Sequence, residues 1–290
     1  MMTTQLSRRS LLAAAAAAVP SIGLAAGKKI PVGLELFSVR NELGKDLQGT
    51  VKAVAKMGYQ GVEFFSPYYS WSIDQTKEMR KLLDDLGIKC FSTHNGRNAF
   101  APENLAKTVE MNTILGSRFV VMASAGKVEG GADGWKKVGE SLENAVAKLK
   151  PAGMLPGFHN HQLEFKPLEG GGKRPLEIIA ANSSKDVVLQ LDVGTCVEVG
   201  YSPMEWIKQN AGRIKSVHCK EWSKQKGYKA IFNEGDAPWL DIFKTAEKVG
   251  GVEFYLIEQE GSDYTPFETA QKCLDNYKAL RSGKGKKKTT

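Results

Sequence analysis

The chain has 290 residues, 42% of them hydrophobic, with 30 Gly and 11 Pro, a composition that suits a folded protein and excludes collagen-like, mucin-like and wholly disordered chains. A formal charge of +8 suggests a nucleic-acid partner until the charge is located. Arg8 and Arg9 lie near the N-terminus, and Arg281, Lys284, Lys286, Lys287 and Lys288 crowd the last ten residues. Setting those aside leaves 33 basic against 32 acidic residues, so no basic groove for a phosphate backbone is indicated.

In chain order, the first feature is Ser7-Arg8-Arg9-Ser10-Leu11-Leu12, followed by an apolar run from Ala13 to Val19, Pro20, and small residues ending at Ala25-Ala26. Basic, apolar and small residues in that order read as a secretory signal over residues 1–26. The paired arginines give it a twin-arginine character, which predicts a partnership with the export machinery for folded proteins and a periplasmic destination. The apolar run is too short to cross a bilayer core of about 30 Å, so no stable membrane span is expected. At the other end, residues 284–290 read as a solvated basic tail.

Residues 27–283 repeat one rhythm of short apolar strand, polar loop, amphipathic helix and glycine. Strands are predicted at Val32–Phe37, Gly61–Phe65, Ile88–Thr93, Phe119–Ala123, Leu155–Asn160, Val187–Asp192, Ile214–Cys219 and Glu253–Glu258. Helical patterns run over Leu47–Met57, Asp74–Leu86, Pro102–Leu115, Gly134–Lys150, Pro175–Ala181, Pro203–Asn210, Trp239–Val249 and Pro266–Leu280. Many end at a glycine, such as Gly58, Gly87 and Gly116, where a left-handed cap is inexpensive. Eight such units predict an α/β fold, a single (β/α)8 TIM barrel. An open doubly wound sheet is the competing topology, but no GxGxxG or phosphate loop follows any strand. The cysteines Cys90, Cys196, Cys219 and Cys273 have no CxxC spacing and read as small buried hydrophobes.

A barrel of this kind puts functional residues at strand C-termini. All four histidines, His94, His159, His161 and His218, fall there. So do Asp192 and Glu258, with Glu164 just after the fifth strand. Strand alternation puts Gln190 on the face of Asp192, Lys220 on that of His218, and Glu260 on that of Glu258. Glu35 and Glu63 sit among apolar neighbours, where a charge is costly unless paired or bound to an ion. Asp, Glu and His converging on one rim suit a hard divalent ion rather than a thiolate-loving one.

The motifs Gly58-Tyr59-Gln60-Gly61-Val62-Glu63, His159-Asn160-His161-x-x-Glu164-Phe165, Leu191-Asp192-Val193-Gly194, Val217-His218-Cys219-Lys220-Glu221 and Ile257-Glu258-Gln259-Glu260 resemble the xylose isomerase-like TIM-barrel superfamily, in its sugar phosphate isomerase/epimerase branch. The resemblance spans nearly all of residues 27–283. It implies a small carbohydrate substrate and one divalent ion, Mn²⁺ favoured over Mg²⁺ or Co²⁺, held by Asp192, His218, Glu258 and a fifth-strand ligand. Related epimerases have Glu at that fifth-strand position where this chain has His159, so the ligand is either Glu164 reaching back or a histidine in place of the acid; Glu164 is the first choice. The superfamily's endonuclease branch needs more histidines than four for its metal cluster, and no nucleic-acid partner is expected. The implied chemistry is removal of the proton next to the carbonyl of a keto sugar. It leads to epimerisation, isomerisation or, for a 3-keto-glycoside, elimination. His161 is the first candidate for the acid or base, with His159 and Lys220 beside it. Glu63, His94, Trp71, Trp222 and Glu234 are candidates for substrate contact. A periplasmic sugar-binding barrel without chemistry is the alternative.

Overall fold

The computed structural model describes residues 29–283; the segments expected to be a leader and a basic tail lie outside them. Short strands with buried residues on both faces can be satisfied only when one face packs on helices and the other fills a barrel. The strands β1 (Val32–Glu35), β2 (Gly61–Phe64), β3 (Lys89–Gly96), β4 (Phe119–Ser124), β5 (Leu155–His159), β6 (Val188–Asp192), β7 (Ser216–Cys219) and β8 (Phe254–Ile257) pair in sequence order, all parallel. β8 pairs back onto β1 and closes the ring. Around it run α1 (Arg40–Lys45), α2 (Leu47–Met57), α3 (Ile73–Leu86), α4 (Leu105–Leu115), α5 (Gly131–Leu149), α6 (Pro175–Ala181), α7 (Val193–Glu198), α8 (Pro203–Gln209), α9 (Trp239–Thr245) and α10 (Pro266–Arg281). The predicted barrel is therefore the observed one. α1 and α7 were not expected: each follows a strand almost at once and is too short to show a helical period.

Local signals account for the boundaries. Asp46 caps α2 through its carboxylate on Gly49 N–H at 2.8 Å, and the helix ends at Gly58 with φ 96°. Ser72 and Gln75 form a reciprocal capping box at the start of α3, and Thr265 and Glu268 do so for α10. The helix predicted to reach Val249 leaves α geometry at Ala246 for a π-helical turn through Gly250. All four cysteines are free and buried. No helix of the described residues is long and apolar enough to cross a membrane.

The barrel interior is layered. Phe91, Phe119, Val121, Leu155, Val188, Phe254 and Leu256 form an apolar cluster separate from the helix-facing core. Gly33 and Gly61 leave space there: a Cβ on Gly33 would stand 2.8 Å from the Gly61 carbonyl oxygen and 2.9 Å from the Phe91 ring. Above this floor, the same strands carry Glu35, Glu63, Ser92, His94, His159, Gln190, Asp192 and His218, all buried. Register aligns Glu35 with Glu63, His159 with Gln190, and Asp192 with His218. β3 contributes to both layers from adjacent residues, Phe91 and Ser92, because its register with β2 slips between Val62 and Glu63.

Candidate metal centre

Glu63 lies at the centre of the polar layer. One of its oxygens, Oε1, accepts from His218 Nε2 at 2.7 Å and lies 3.0 Å from His94 Nε2. The other, Oε2, accepts from Gln190 Nε2 at 2.9 Å and from the Ser92 hydroxyl. Burial alone would raise the pKa of this carboxyl, but His94 and His218 overrule it and hold Glu63 well below the usual range. Glu35, two strand positions above Gly33, is pushed the other way by burial and by the Glu63 charge.

Gln190 orders the histidines. Its amide oxygen lies 2.6 Å from His94 Nε2 and 3.0 Å from His159 Nδ1. With Nδ1 of His159 donating to that oxygen, Nε2 keeps its lone pair and faces Asp192 Oδ2 at 3.8 Å. Burial, followed by the neighbouring histidines, pushes the His159 pKa well down, so the ring is neutral and can act as a ligand. His218 differs. Desolvation works against its charge, but Glu63 and Glu258 outweigh that and raise it to about 9. Its Nδ1 lies 2.6 Å from Glu258 Oε2.

The two oxygens of Asp192 have separate tasks. Oδ1 caps α7 by accepting from Thr195 N–H at 2.9 Å. Oδ2 is buried and accepts no hydrogen bond among the described residues. Asn160 fixes the backbone here, accepting from Asp192 N–H at 3.0 Å and donating to Thr195 Oγ1 at 3.0 Å. His159, Asp192, His218 and Glu258 each offer one ligand atom, all within 4.8 Å of one another. A buried carboxylate oxygen left without a donor, facing a neutral imidazole nitrogen and a second carboxylate, fits a cation.

The structure separates the residues singled out in the sequence. It brings together Glu63, His94, His159, Asp192, His218, Lys220 and Glu258. Glu164 is elsewhere: its Oε2 accepts from the backbone N–H of His161 at 2.8 Å, and it belongs to none of the groups able to hold an ion. That bond ties the turn after β5, and His159 takes the fifth-strand position among the potential ligands. His161 is partly exposed, with its ring centroid 4.9 Å from that of His159. Trp71 packs edge-on against Phe64 and Tyr68, in a groove beside α1 and α2 rather than against the histidines. Glu234 is half exposed, its nearest cation being Lys226 at 4.0 Å. Trp222 is partly buried, and its N–H donates to Glu221.

Sequence reading assigned no role to four residues that shape the site. Ser92 was masked by the β3 irregularity. Glu221 is fully buried and accepts from the backbone N–H groups of Trp222, Asn233 and Ala237 and from Trp239 Nε1, which gathers the loop after β7; a carboxylate straight after His218 and Lys220 was the available signal. Asn233 in that loop takes φ 66°. Tyr228 donates to Glu198, receives a hydrogen bond from Gln162 at 2.9 Å, and places its ring 5.1 Å from Lys220 Nζ. Glu260 pairs with Lys220.

A closed eight-stranded parallel barrel with a buried His/Asp/Glu cluster at the strand C-termini defines a TIM barrel with its site in the usual mouth. The chain belongs to the xylose isomerase-like TIM barrel family, whose model matches residues 51–280. A solved sugar phosphate isomerase/epimerase from Parabacteroides distasonis is similar at 28% identity and TM-score 0.74, covering 88% of this chain and 96% of its own. At the level of fold alone, a D-psicose 3-epimerase from Clostridium cellulolyticum matches at 15% identity and TM-score 0.67, covering 89% of this chain and 100% of its own. A probable 3-DHS dehydratase from Bacillus anthracis does so at 12% identity and TM-score 0.66, covering 87% and 99%. No curated protein is detectably similar in sequence.

Proposed function

We propose that this protein is a divalent-metal-dependent enzyme that removes the proton next to the carbonyl of an uncharged keto sugar, with elimination from a 3-keto-glycoside as the favoured outcome. The observation that carries this reading is the buried Asp192 Oδ2, which accepts no hydrogen bond, among His159, His218 and Glu258. Those four residues would hold the ion. Two imidazoles and two carboxylates favour Mn²⁺ or Co²⁺ over Mg²⁺, which prefers oxygen ligands. When bound, the ion supplies Lewis-acid polarisation of the carbonyl and its neighbouring hydroxyl.

His161 is the proposed base, since its partly exposed ring adjoins His159 and neither ring nitrogen is hydrogen-bonded among the described residues. Lys220 would stabilise charge developing on the carbonyl oxygen. For a 3-keto-glycoside the balance is simple. The C2–H bond breaks, its electron pair forms the C1–C2 double bond, and the C1–O bond breaks; the departing alkoxide takes up a proton. The Lys220 ammonium beside the cluster is already held by Glu258 and Glu260, so it is not free to pair with a substrate phosphate. Uncharged substrates also agree with export through the leader at residues 1–26, which belongs to this proposal. The test is to load the chain with Mn²⁺ in D₂O and follow 3-keto-glucosides by NMR. Release of the aglycone with loss of the C2 proton signal is the expected result, and keto sugars without a leaving group should take up deuterium next to the carbonyl. Neither elimination nor exchange across a panel of keto sugars and glycosides with the ion bound rejects the proposal, and sugar binding indifferent to chelator would indicate a binding barrel instead.

A further inference from the structure

Lys220 is in an unusual position for a residue beside a cation site. Its side chain is almost wholly buried, and its ammonium lies 3.3 Å from Glu258 Oε1 and 3.8 Å from Asp192 Oδ2. Those carboxylates belong to two of the four candidate ligands. An ammonium and a divalent ion therefore compete for the same negative charge, and like charges this close in a buried site repel strongly. Three features hold the ammonium at the edge of the cluster. Glu260, two residues beyond Glu258 and partly exposed, pairs with Nζ from the solvent side. The Tyr228 ring covers it at 5.1 Å. The Tyr228 hydroxyl is in turn fixed by Glu198 and Gln162, and Gln259 Nε2 donates to the Tyr228 carbonyl, so the end of α7 and the segments after β5 and β8 hold this residue in place.

We infer that Glu260 is a positioning residue for Lys220: it draws the ammonium toward the mouth, and so keeps the oxygens of Asp192 and Glu258 available to the divalent ion. The inference rests on the metal reading above but makes a separate claim, namely that Glu260 acts on ion affinity only through Lys220. Glu260 is not itself among the grouped ligands.

The experiment is a double-mutant cycle read by Mn²⁺ titration calorimetry on the purified chain, with no substrate present. Glu260→Gln should weaken Mn²⁺ binding about tenfold or more, the size common for residues that orient a metal site. Lys220→Met removes the competing charge and should bind Mn²⁺ at least as tightly as the parent. In the Lys220→Met background, Glu260→Gln should change affinity by less than about threefold, so the two effects are strongly non-additive. Thermal melts in chelator check that each variant is folded, and Lys220→Gln replaces Lys220→Met if the latter is not. An unchanged affinity in Glu260→Gln overturns the inference. So does a loss that persists without Lys220, which would make Glu260 act on the ion directly, or weakened binding on removing Lys220. A parent that takes up no Mn²⁺, Co²⁺ or Mg²⁺ overturns the metal reading, and this inference with it.

Discussion

At the N-terminal end of the barrel interior, Phe91 and Phe254 stack with centroids 4.8 Å apart, and Phe119, Leu155, Val188 and Leu256 fill the remaining space. A few residues further along the same strands, the interior holds His94, His159, Gln190, Asp192, His218 and Glu258 instead. Both ends are buried, so exposure does not distinguish them. The floor is stabilised by apolar area and dispersion and needs nothing further. The upper layer sets charge against desolvation, and it is consistent only because Glu63 and Gln190 satisfy so many partners at once. Asp192 Oδ2 and Glu35 Oε2 are the exceptions in that layer, buried without a hydrogen bond. The comparison teaches that the floor is optimised for stability, whereas the upper layer leaves polar atoms unmet, among them Asp192 Oδ2 beside the other candidate ligands.

Four substitutions would break or sharpen this contrast. The largest effect is expected for Asp192→Ala: loss of the bound divalent ion by elemental analysis and a fall of about 10³-fold or more in proton exchange, roughly 4 kcal/mol of transition-state stabilisation. Asp192 also caps α7, so a loss of about 1 kcal/mol in denaturant stability should accompany it. Phe254→Ala should do the reverse, costing about 3–5 kcal/mol by chemical denaturation while the surviving folded protein binds Mn²⁺ with parental affinity. If the floor variant weakened the ion site more than its stability, the two layers would not be independent. Glu63→Gln tests the link between them. It keeps the shape but removes the charge that orients His218 and His94, and should weaken Mn²⁺ affinity about 10- to 100-fold by calorimetry. Gly33→Ala is the smallest. Its Cβ would press on the Gly61 carbonyl and Phe91, for a cost of about 1–3 kcal/mol in a thermal or denaturant melt, with the ion site unaffected.

Legibility in the sequence followed the range of the forces involved. The β/α alternation, the capped helices and the placement of all four histidines at strand ends are local signals, and Leu47–Met57 and Pro175–Ala181 were readable to the residue. The pairing of Gln190 with Asp192, and of Lys220 with His218, followed from alternation along one strand. Glu164 shows where that reasoning stops. Spacing after β5 makes it look available, but only the turn geometry shows its carboxylate committed to the His161 N–H, with His159 on the inner face. Trp71 was plausible for the same reason, and the fold packs it edge-on against Phe64 and Tyr68.

The sequence by itself determined the eight β/α units of the barrel and the placement of all four histidines at strand ends, because periodicity, capping and turn chemistry act within a few residues of each other. Which of those residues touch was decided by the tertiary structure alone. Glu63 meets His218 across 155 positions, and Gln190 meets Glu63 across 127. Such contacts depend on strand register, barrel closure and a register slip in β3, and none of these leaves a periodic trace in the chain.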